Sequence, residues 1–286
     1  MHCAQCKSLR WAFRLSSWNP TASEWKRSLE YIQPIEAERV GRLRCKQDAL
    51  ATVAGRLMLR KAVCLGTGLR WSDIHLNREP NGKPFLTNDV PAQYAFNVSH
   101  HGDFVVLAAG AYAFCGIDIM RLQAPKVRKT MASYLELMKS NFSSNEWATF
   151  WSPQLDDSAR LRLFYRYWCL KESYLKATGQ GVHCELFRLD FRLGNSAGNL
   201  RTNTRLCIDG RRVEDVCFEE SSISEDHVAC VCYSDAHLPS DCRGYHQSEM
   251  SFRHICWSYL TEDAIELHAM SESECPSLKH MQIRES

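Results

Sequence analysis

Residues 164–178, FYRYWCLKESYLKAT, are the most informative stretch of the chain, because their spacing predicts a long helix with one apolar face. At about 100° per residue, Phe164 and Leu175 fall close together on a buried arc. Lys171 lies within that arc, Glu172 at its edge, and Lys176 one turn beyond Glu172. One interpretation is that Lys171 extends its ammonium to water, while Glu172 and Lys176 form an ordinary surface pair. The other is that these charges bind a metal ion or a phosphate, because unpaired burial is costly.

A second acid that could complete such a site is Asp118, in CGIDIM. It lies between Ile117 and Ile119 in an apolar strand, where a plain surface carboxylate is unusual, although an Asp that forms a turn is an alternative. Two carboxylates suit Mg²⁺, which typically takes one or two carboxylates, waters and phosphate oxygens.

Basic residues that could bind a phosphate lie in the first half of the chain. Residues 1–120 hold 15 Lys and Arg against 10 Asp and Glu, whereas the remainder carries a net charge of −3. Candidates are Arg39, Arg78 and Lys83, the last directly after an Asn81-Gly82 turn whose amides could face an anion. Each of them could also be a solvated surface charge.

The segment NVSHHGD, residues 97–103, predicts a hairpin tip with Ser99, His100 and His101 as hydrogen-bonding groups. A simple polar turn is the alternative. No GxSxG elbow, Walker A motif or dinucleotide-binding fingerprint occurs, which argues against a Ser-His-Asp hydrolase and against the common nucleotide-binding folds.

The overall composition predicts a globular protein of the cytoplasm. The chain has 286 residues, is 45% hydrophobic and carries a net charge of +2, so a nucleic acid is not expected as a partner. It contains no run of about 18 apolar residues, so a membrane is not expected as a partner either. The first residues show no apolar core of signal-peptide length. We therefore expect the 14 cysteines to be reduced, and we consider a zinc site at the Cys3-Cys6 pair improbable for lack of a second pair.

The order of elements predicts an α+β fold. Each half of the chain contains helices and strands without regular βαβ alternation. We predict an N-terminal lobe over residues 1–122, a C-terminal lobe over 123–235, and a polar, poorly ordered tail over 236–286. Ser143 and Glu146 are expected to form a capping box, and Gly179 to end the long helix.

Two motifs together resemble the signature of the Sfp-type 4′-phosphopantetheinyl transferases. The first is Gly116-Ile117-Asp118, and about fifty residues later Trp168, Lys171, Glu172, Ser173 and Lys176 follow the family's second pattern. The resemblance extends over about residues 8–233 and includes REPNGKPFL and FNVSHHGDFVVLAA. It implies a pseudo-twofold pair of similar α+β lobes with coenzyme A in the cleft between them. It also implies transfer of the 4′-phosphopantetheine arm of coenzyme A to a carrier-domain serine, with release of adenosine 3′,5′-bisphosphate.

The resemblance also implies roles for individual residues. Asp118 and Glu172 would bind Mg²⁺, Glu172 would take the serine proton, and Lys176, with Lys171 nearby, would lie beside the reacting phosphate. Arg39, Arg78 and Lys83 would hold the nucleotide end of coenzyme A, including its 3′-phosphate, and His100 would bond a phosphate oxygen. The residues implied to bind coenzyme A are Arg39, Arg78, Glu79, Pro80, Asn81, Gly82, Lys83, Asn97, Val98, Ser99, His100, Asp118, Glu172 and Lys176.

One position departs from many members of the family. They carry a third acidic metal ligand two residues after the first Asp, where this chain has Met120. The resemblance points to His101 as the replacement, holding the metal through a water, and this leaves Mn²⁺ possible beside Mg²⁺.

Two function classes follow from the resemblance. The first is an active, monomeric transferase that serves carrier domains of the fatty-acid synthase and aminoadipate-semialdehyde dehydrogenase type, the latter in lysine breakdown. The alternative is a non-catalytic protein of the same fold that binds coenzyme A or a carrier domain.

Overall fold

The computed structural model describes residues 8–90, 93–123, 130–181, 184–194, 200–236, 251–278 and 281–282. The chain divides into two compact units. The first unit comprises Met1–Glu79, Pro84–Ala111 and Arg253–Ser286, and the second comprises Pro80–Lys83 and Tyr112–Phe252. Both contain helices and sheets, so the predicted α+β class is confirmed.

The first unit contains the strands β1 (Leu9–Arg14), β4 (Ala95–His101), β5 (Phe104–Gly110) and β13 (Arg253–Ile255). They form a four-stranded sheet in the order β13-β1-β5-β4. All seven residues of β5 are buried, since this strand has neighbours on both edges and a helix on one face. The hairpin predicted at residues 97–103 is confirmed, with Gly102 at its tip in a left-handed conformation (φ 57°).

Helices α1 (Ala22–Glu30), α2 (Pro34–Gly41), α3 (Lys46–Thr67) and α7 (Trp257–Thr261) complete the first unit, together with a small hairpin of β2 (Leu76–Arg78) and β3 (Pro84–Leu86). The long helix α3 packs on β4 and β5. A glycine allows this close approach, because a Cβ built on Gly55 would lie 3.3 Å from Val98 Cγ2.

A second four-stranded sheet, in the order β6-β12-β11-β8, forms the centre of the second unit. It contains β6 (Phe114–Arg121), β8 (Leu200–Arg201), β11 (Cys217–Ser224) and β12 (His227–Ser234). Helix α6 (Asp157–Thr178) packs across β6 and β12. The unit also holds α4 (Met131–Met138), α5 (Ser144–Phe150) and a smaller sheet of β7 (Leu189–Arg192), β9 (Arg205–Ile208) and β10 (Arg211–Arg212).

The predicted boundary at residue 122 is displaced in the structure. Strand β6, assigned by sequence to the first lobe, pairs along its whole length with β12, so that Asp118 lies opposite Cys230. Asp118 and Glu172 therefore belong to the same unit, not to two different ones. The sequence did not reveal this pairing because its two strands lie more than one hundred residues apart.

The prediction of a poorly ordered tail is wrong for residues 251–278. Strand β13 pairs in parallel with β1, and Leu260 of α7 is fully buried. Trp25 Nε1 donates a hydrogen bond to the Pro276 carbonyl at 2.8 Å. A few apolar residues and backbone hydrogen bonds hold this segment, although its overall composition is polar.

The cysteines of the described residues form no disulfide, in agreement with the prediction that they are reduced. Eleven cysteines lie in the described part of the chain, and all eleven are free, four of them buried. Cys3 and Cys6 lie outside the described residues. Within the described ranges, no helix is long and apolar enough to cross a membrane.

Candidate active site

A close contact between strand β6 and helix α6 brings the two sequence motifs together. A Cβ built on Gly116 would lie 2.2 Å from the Ser173 carbonyl oxygen and 2.3 Å from the Ala177 nitrogen. Only glycine lets the strand approach the helix backbone so closely. Side chains alternate along a strand, so Gly116, Asp118 and Met120 share the face on which the helix packs.

Asp118 forms an ion pair with Lys176 on this face. Lys176 Nζ lies 2.6 Å from Asp118 Oδ1. Asp118 is buried, with 5% of its surface exposed, whereas 31% of the Lys176 side chain remains accessible. The ammonium can therefore contact both a buried carboxylate and a bound anion.

Glu172 lies one helical turn before Lys176 and is half-buried. Burial raises its pKa above the ordinary value, and the neighbouring Asp118 carboxylate raises it further. The Lys176 ammonium lowers the same pKa in part. A carboxylate in this environment holds a proton more readily than a free one, which suits a general base that must accept a proton.

The donor set fits a hard divalent cation. The two carboxylates of Asp118 and Glu172 are close enough for the charge of one to raise the pKa of the other, and a cation would remove that repulsion. Over the described ranges, no group of three or more His, Cys, Asp or Glu side chains could hold a metal ion. Two carboxylates completed by waters and substrate oxygens are the usual set for Mg²⁺. Met120 shares the face of Asp118, and its thioether is a poor ligand for such an ion.

The role suggested for Lys171 beside the phosphate is wrong. Its side chain is 1% exposed, and its three N–H donors all have acceptors within the second unit. Nζ donates to the carbonyls of Leu186 at 2.9 Å and Leu189 at 2.5 Å, and lies 2.8 Å from Glu146 Oε2. Lys171 is thus a structural cation that joins α6 to α5 and to the start of β7.

Glu146 is the partner that sequence reasoning missed. It forms the predicted capping box of α5 with Ser143, which is confirmed, and its Oε1 also accepts the backbone N–H of Phe191 at 2.9 Å. Burial raises the pKa of Glu146 and lowers that of Lys171, and the attraction between the two opposes both changes. The capping motif was visible in the sequence, but its second role required the tertiary fold.

The turn at Pro80–Lys83 groups with the second unit, at the carboxyl end of α6. Lys83 Nζ donates to the Ala177 carbonyl at 2.9 Å, and Asn81 Nδ2 donates to the Gly179 carbonyl at 3.1 Å. Gly82 has φ 86°, which favours glycine. Gly179 ends the helix with φ 73°, as predicted. Glu79, which precedes this turn, belongs to the first unit.

In the first unit, Arg39 and Arg78 both contact the buried carboxylate of Glu36. Arg78 makes a two-pronged contact, with Nε 3.1 Å from Oε1 and Nη2 2.8 Å from Oε2. Arg39 Nη1 lies 3.5 Å from Oε1. The sequence did not reveal Glu36, because an acid within a mixed-charge helix gives no sign of its partners.

The predicted residues of β4 lie on two faces of one strand. Asn97 and Ser99 are buried and share a face with His101, which is half-buried. Val98 contacts the position of Gly55 in α3, and His100, which is exposed, lies on the same face as Val98. The two histidines are therefore on opposite sides of the strand.

Comparisons with known proteins identify the family. Residues 16–112 match the model of the N-terminal domain of 4′-phosphopantetheinyl transferase, and residues 114–232 match that of the 4′-phosphopantetheinyl transferase superfamily.

Curated relatives agree with both models. The chain is 41% identical over 231 residues to the human L-aminoadipate-semialdehyde dehydrogenase-phosphopantetheinyl transferase, which covers 79% of this chain and 74% of that protein. It is 36% identical to the Xenopus laevis enzyme of the same name, over 80% of this chain and 76% of that protein. It is 31% identical to 4′-phosphopantetheinyl transferase Sfp of Bacillus subtilis, over 59% of this chain and 70% of that protein. The chain therefore belongs to the 4′-phosphopantetheinyl transferase superfamily.

Proposed function

We propose that this protein transfers the 4′-phosphopantetheine group of coenzyme A to a serine of acyl or peptidyl carrier domains and releases adenosine 3′,5′-bisphosphate. The observation that carries the proposal is the ion pair between Asp118 and Lys176, with the carboxylate of Glu172 one turn away. These residues belong to the two motifs through which the sequence resembles the family, and both motifs lie within the matched residues 114–232. The names of the relatives support the same reaction.

The reaction transfers a phosphorus-linked group from the pyrophosphate of coenzyme A to the serine oxygen. The serine oxygen forms a bond to the phosphorus that carries the pantetheine arm, and the bond from that phosphorus to the bridging oxygen breaks. Glu172, whose pKa burial raises, takes the serine proton. The Lys176 ammonium, partly accessible beside Asp118, stabilises negative charge that grows on the leaving phosphate.

The carboxylates of Asp118 and Glu172 would hold the metal ion. When bound, Mg²⁺ neutralises charge on the pyrophosphate oxygens. Mn²⁺ remains an alternative because Met120 replaces an acid. The role of His101 through a water stays a prediction.

The basic side chains are proposed to bind the nucleotide end. Arg39, Arg78 and Lys83 would contact its phosphates, and His100 would donate to a phosphate oxygen. Glu79 to Gly82 and Asn97 to Ser99 would line the same substrate. The pseudo-twofold pairing of the lobes, with the coenzyme A cleft between them, stays a prediction.

The identity of the acceptors is also part of the proposal. The relatives' names point to a carrier domain of the aminoadipate-semialdehyde dehydrogenase type, and fatty-acid synthase would be a second source. The monomeric state and the cytoplasmic location stay predictions.

Mass spectrometry of an apo carrier domain tests the proposal. The domain is incubated with the protein, coenzyme A and Mg²⁺, and its intact mass is measured. A gain of one phosphopantetheine group, absent after chelation and absent in a carrier whose acceptor serine is replaced by alanine, supports transfer. No gain with several carrier domains, although coenzyme A still binds, would favour the non-catalytic binding protein. Free phosphopantetheine without protein labelling would indicate hydrolysis instead.

A further inference from the structure

A cluster of one carboxylate and three guanidiniums lies in the first unit. We call it the Glu36 cluster; it consists of Glu36, Arg39, Arg56 and Arg78. Arg56 Nε lies 3.1 Å from Glu36 Oε2, the oxygen that also contacts Arg78 Nη2 at 2.8 Å. The cluster joins α2, α3 and β2, because Arg56 comes from the middle of α3. The carboxylate of Glu36 is thus shared by three guanidiniums.

The four side chains of the cluster differ in how much of their surface is exposed to solvent. The side chains of Glu36 and Arg56 are 6% and 9% exposed, whereas those of Arg78 and Arg39 are 24% and 43% exposed. Glu36 and Arg56 thus form a buried base, and the other two arginines reach outward from it. A ligand from solvent would meet Arg39 and Arg78 first.

One hydrogen-bond donor of the buried base has no partner. Arg56 Nη1 is buried and has no hydrogen-bond partner in the structure. Burial lowers the pKa of Arg56 to about 10, with the attraction of Glu36 opposing this and Arg78 and Arg39 adding to it. Arg56 therefore stays charged at neutral pH. Glu36 balances the charge of Arg56 through Nε, but the buried Nη1 donor has no partner, and such an unfilled donor costs free energy.

Glu36 is held in its charged form by the same arrangement. Burial pushes its pKa upward, but the hydrogen bond from Arg78 and the charges of Arg56, Arg78 and Arg39 outweigh burial and hold it below the ordinary value. The carboxylate therefore remains an anchor for all three guanidiniums. Its two oxygens fix the plane of Arg78 through the two-pronged contact.

We infer that Arg56 is a positioning residue which, through Glu36, orients Arg78 and Arg39 to take a phosphate monoester dianion, the 3′-phosphate of the nucleotide. Guanidiniums present planar sets of N–H donors, which suit the oxygens of a phosphate group. Because the Arg56 side chain is almost fully buried, it would not touch the phosphate itself and would act through Glu36. This inference rests on the proposed function, because it assumes that coenzyme A is the substrate.

Nucleotide binding tests the inference without requiring transfer. Adenosine 3′,5′-bisphosphate and adenosine 5′-monophosphate are titrated calorimetrically into the wild-type protein, Arg56→Gln and Arg56→Lys. We expect Arg56→Gln to weaken binding of the bisphosphate about five- to tenfold and of the monophosphate less than about twofold. Arg56→Lys keeps the charge but lacks the planar fork, so it should recover only part of the loss. Arg42→Gln, an exposed arginine just after α2, is the matched control and should change neither affinity.

The kinetic readout separates positioning from catalysis. With coenzyme A, the KM of Arg56→Gln should rise while kcat at saturation stays within about twofold of wild type. An equal loss of affinity for both nucleotides, or no loss for either, would overturn the inference. If Arg56→Gln does not fold, Arg56→Lys decides, because affinities equal to wild type for both nucleotides would contradict a role that depends on the fork.

Failure of the inference and failure of the proposed function give different results. A wild-type protein that transfers phosphopantetheine but shows no bisphosphate-selective effect of Arg56 contradicts only the positioning role. A protein that binds the bisphosphate through Arg56 and transfers nothing supports the positioning role and contradicts the transferase.

Discussion

Lys171 and Lys176 lie five residues apart on the same helix, yet their surroundings differ in kind. Lys171 is almost fully buried, and its three donors meet Glu146 and two backbone carbonyls. Lys176 contacts the buried Asp118 but keeps about a third of its side chain accessible. A buried cation whose donors are all satisfied inside the protein has no capacity left for a ligand, whereas a ligand from solvent can reach a side chain that is 31% exposed. The family motif therefore contains one structural lysine and one that suits catalysis.

The two acids near these lysines show the same contrast. Glu146 accepts from the backbone of Ser143 and Phe191 as well as from Lys171, and is completely buried. Glu172 is half-buried near Asp118, and burial, followed by the like charge of Asp118, raises its pKa. Glu146 with Lys171 therefore stabilises the fold, whereas the repulsion between Asp118 and Glu172 is offset only in part by Lys176.

The largest expected effect is loss of transfer in Glu172→Gln. Removing the proton acceptor should lower kcat by about two to four orders of magnitude, while coenzyme A still binds. Steady-state transfer to a carrier domain and calorimetric titration of coenzyme A measure the two quantities. Wild-type turnover in this variant would contradict the role of Glu172.

Lys171→Met should instead destabilise the fold. It leaves the Glu146 carboxylate buried without its cation, which typically costs about 3–5 kcal/mol. Urea denaturation measures the change in the free energy of unfolding. Lys176→Met is the comparison variant on the same helix: it should reduce transfer and cost less stability than Lys171→Met, because 31% of the Lys176 side chain is exposed against 1% of the Lys171 side chain.

The double variant Lys171→Met with Glu146→Gln sharpens this test. It removes both charges while the glutamine can still accept one backbone hydrogen bond, so it should recover part of the lost stability. A double variant less stable than Lys171→Met would show that the two side chains do not act as a pair.

A smaller effect is expected for Lys83→Ala at the carboxyl end of α6. If Lys83 contacts the 3′-phosphate, its removal should raise the KM for coenzyme A about three- to tenfold and that for dephospho-coenzyme A less than about twofold. Lys83 also donates to the Ala177 carbonyl, so a purely structural role is the competing explanation. Equal changes of both KM values, together with lower stability, would favour that explanation.

The smallest effect is a stability gain of Glu172→Gln in the presence of a chelator. The pKa of Glu172 is higher in the folded protein than its ordinary value of 4.5, so the folded state binds this proton more tightly than the unfolded state. The charged carboxylate therefore costs stability above the raised pKa, and this cost disappears as the pH falls below 4.5. Glu172→Gln should be more stable than wild type at neutral pH and no more stable at low pH.

A pH series of denaturation curves measures this difference. Glu136→Gln, at an exposed position of α4, is the control and should show no such pH-dependent gain. A gain for Glu172→Gln that persists unchanged below pH 4.5 would indicate a cause other than ionisation.

The sequence by itself determined the local elements and the family. The period of residues 164–178 predicted the helix, Gly179 predicted its end, and Ser143 with Glu146 predicted the start of α5; all three are confirmed. These features depend on residues within one or two turns of each other, which is why the linear chain reveals them. Asp118, Glu172 and Lys176 were recognisable for the same reason, as members of two short motifs.

Only the tertiary structure decided the partners of the charged residues. It paired Lys171 with Glu146, assigned β6 to the sheet of β12, held β13 against β1, and gathered Arg56 and Arg78 around Glu36. These partners come from distant parts of the chain. The free energy of an ion pair depends on burial and geometry, and both arise from packing that no local pattern encodes.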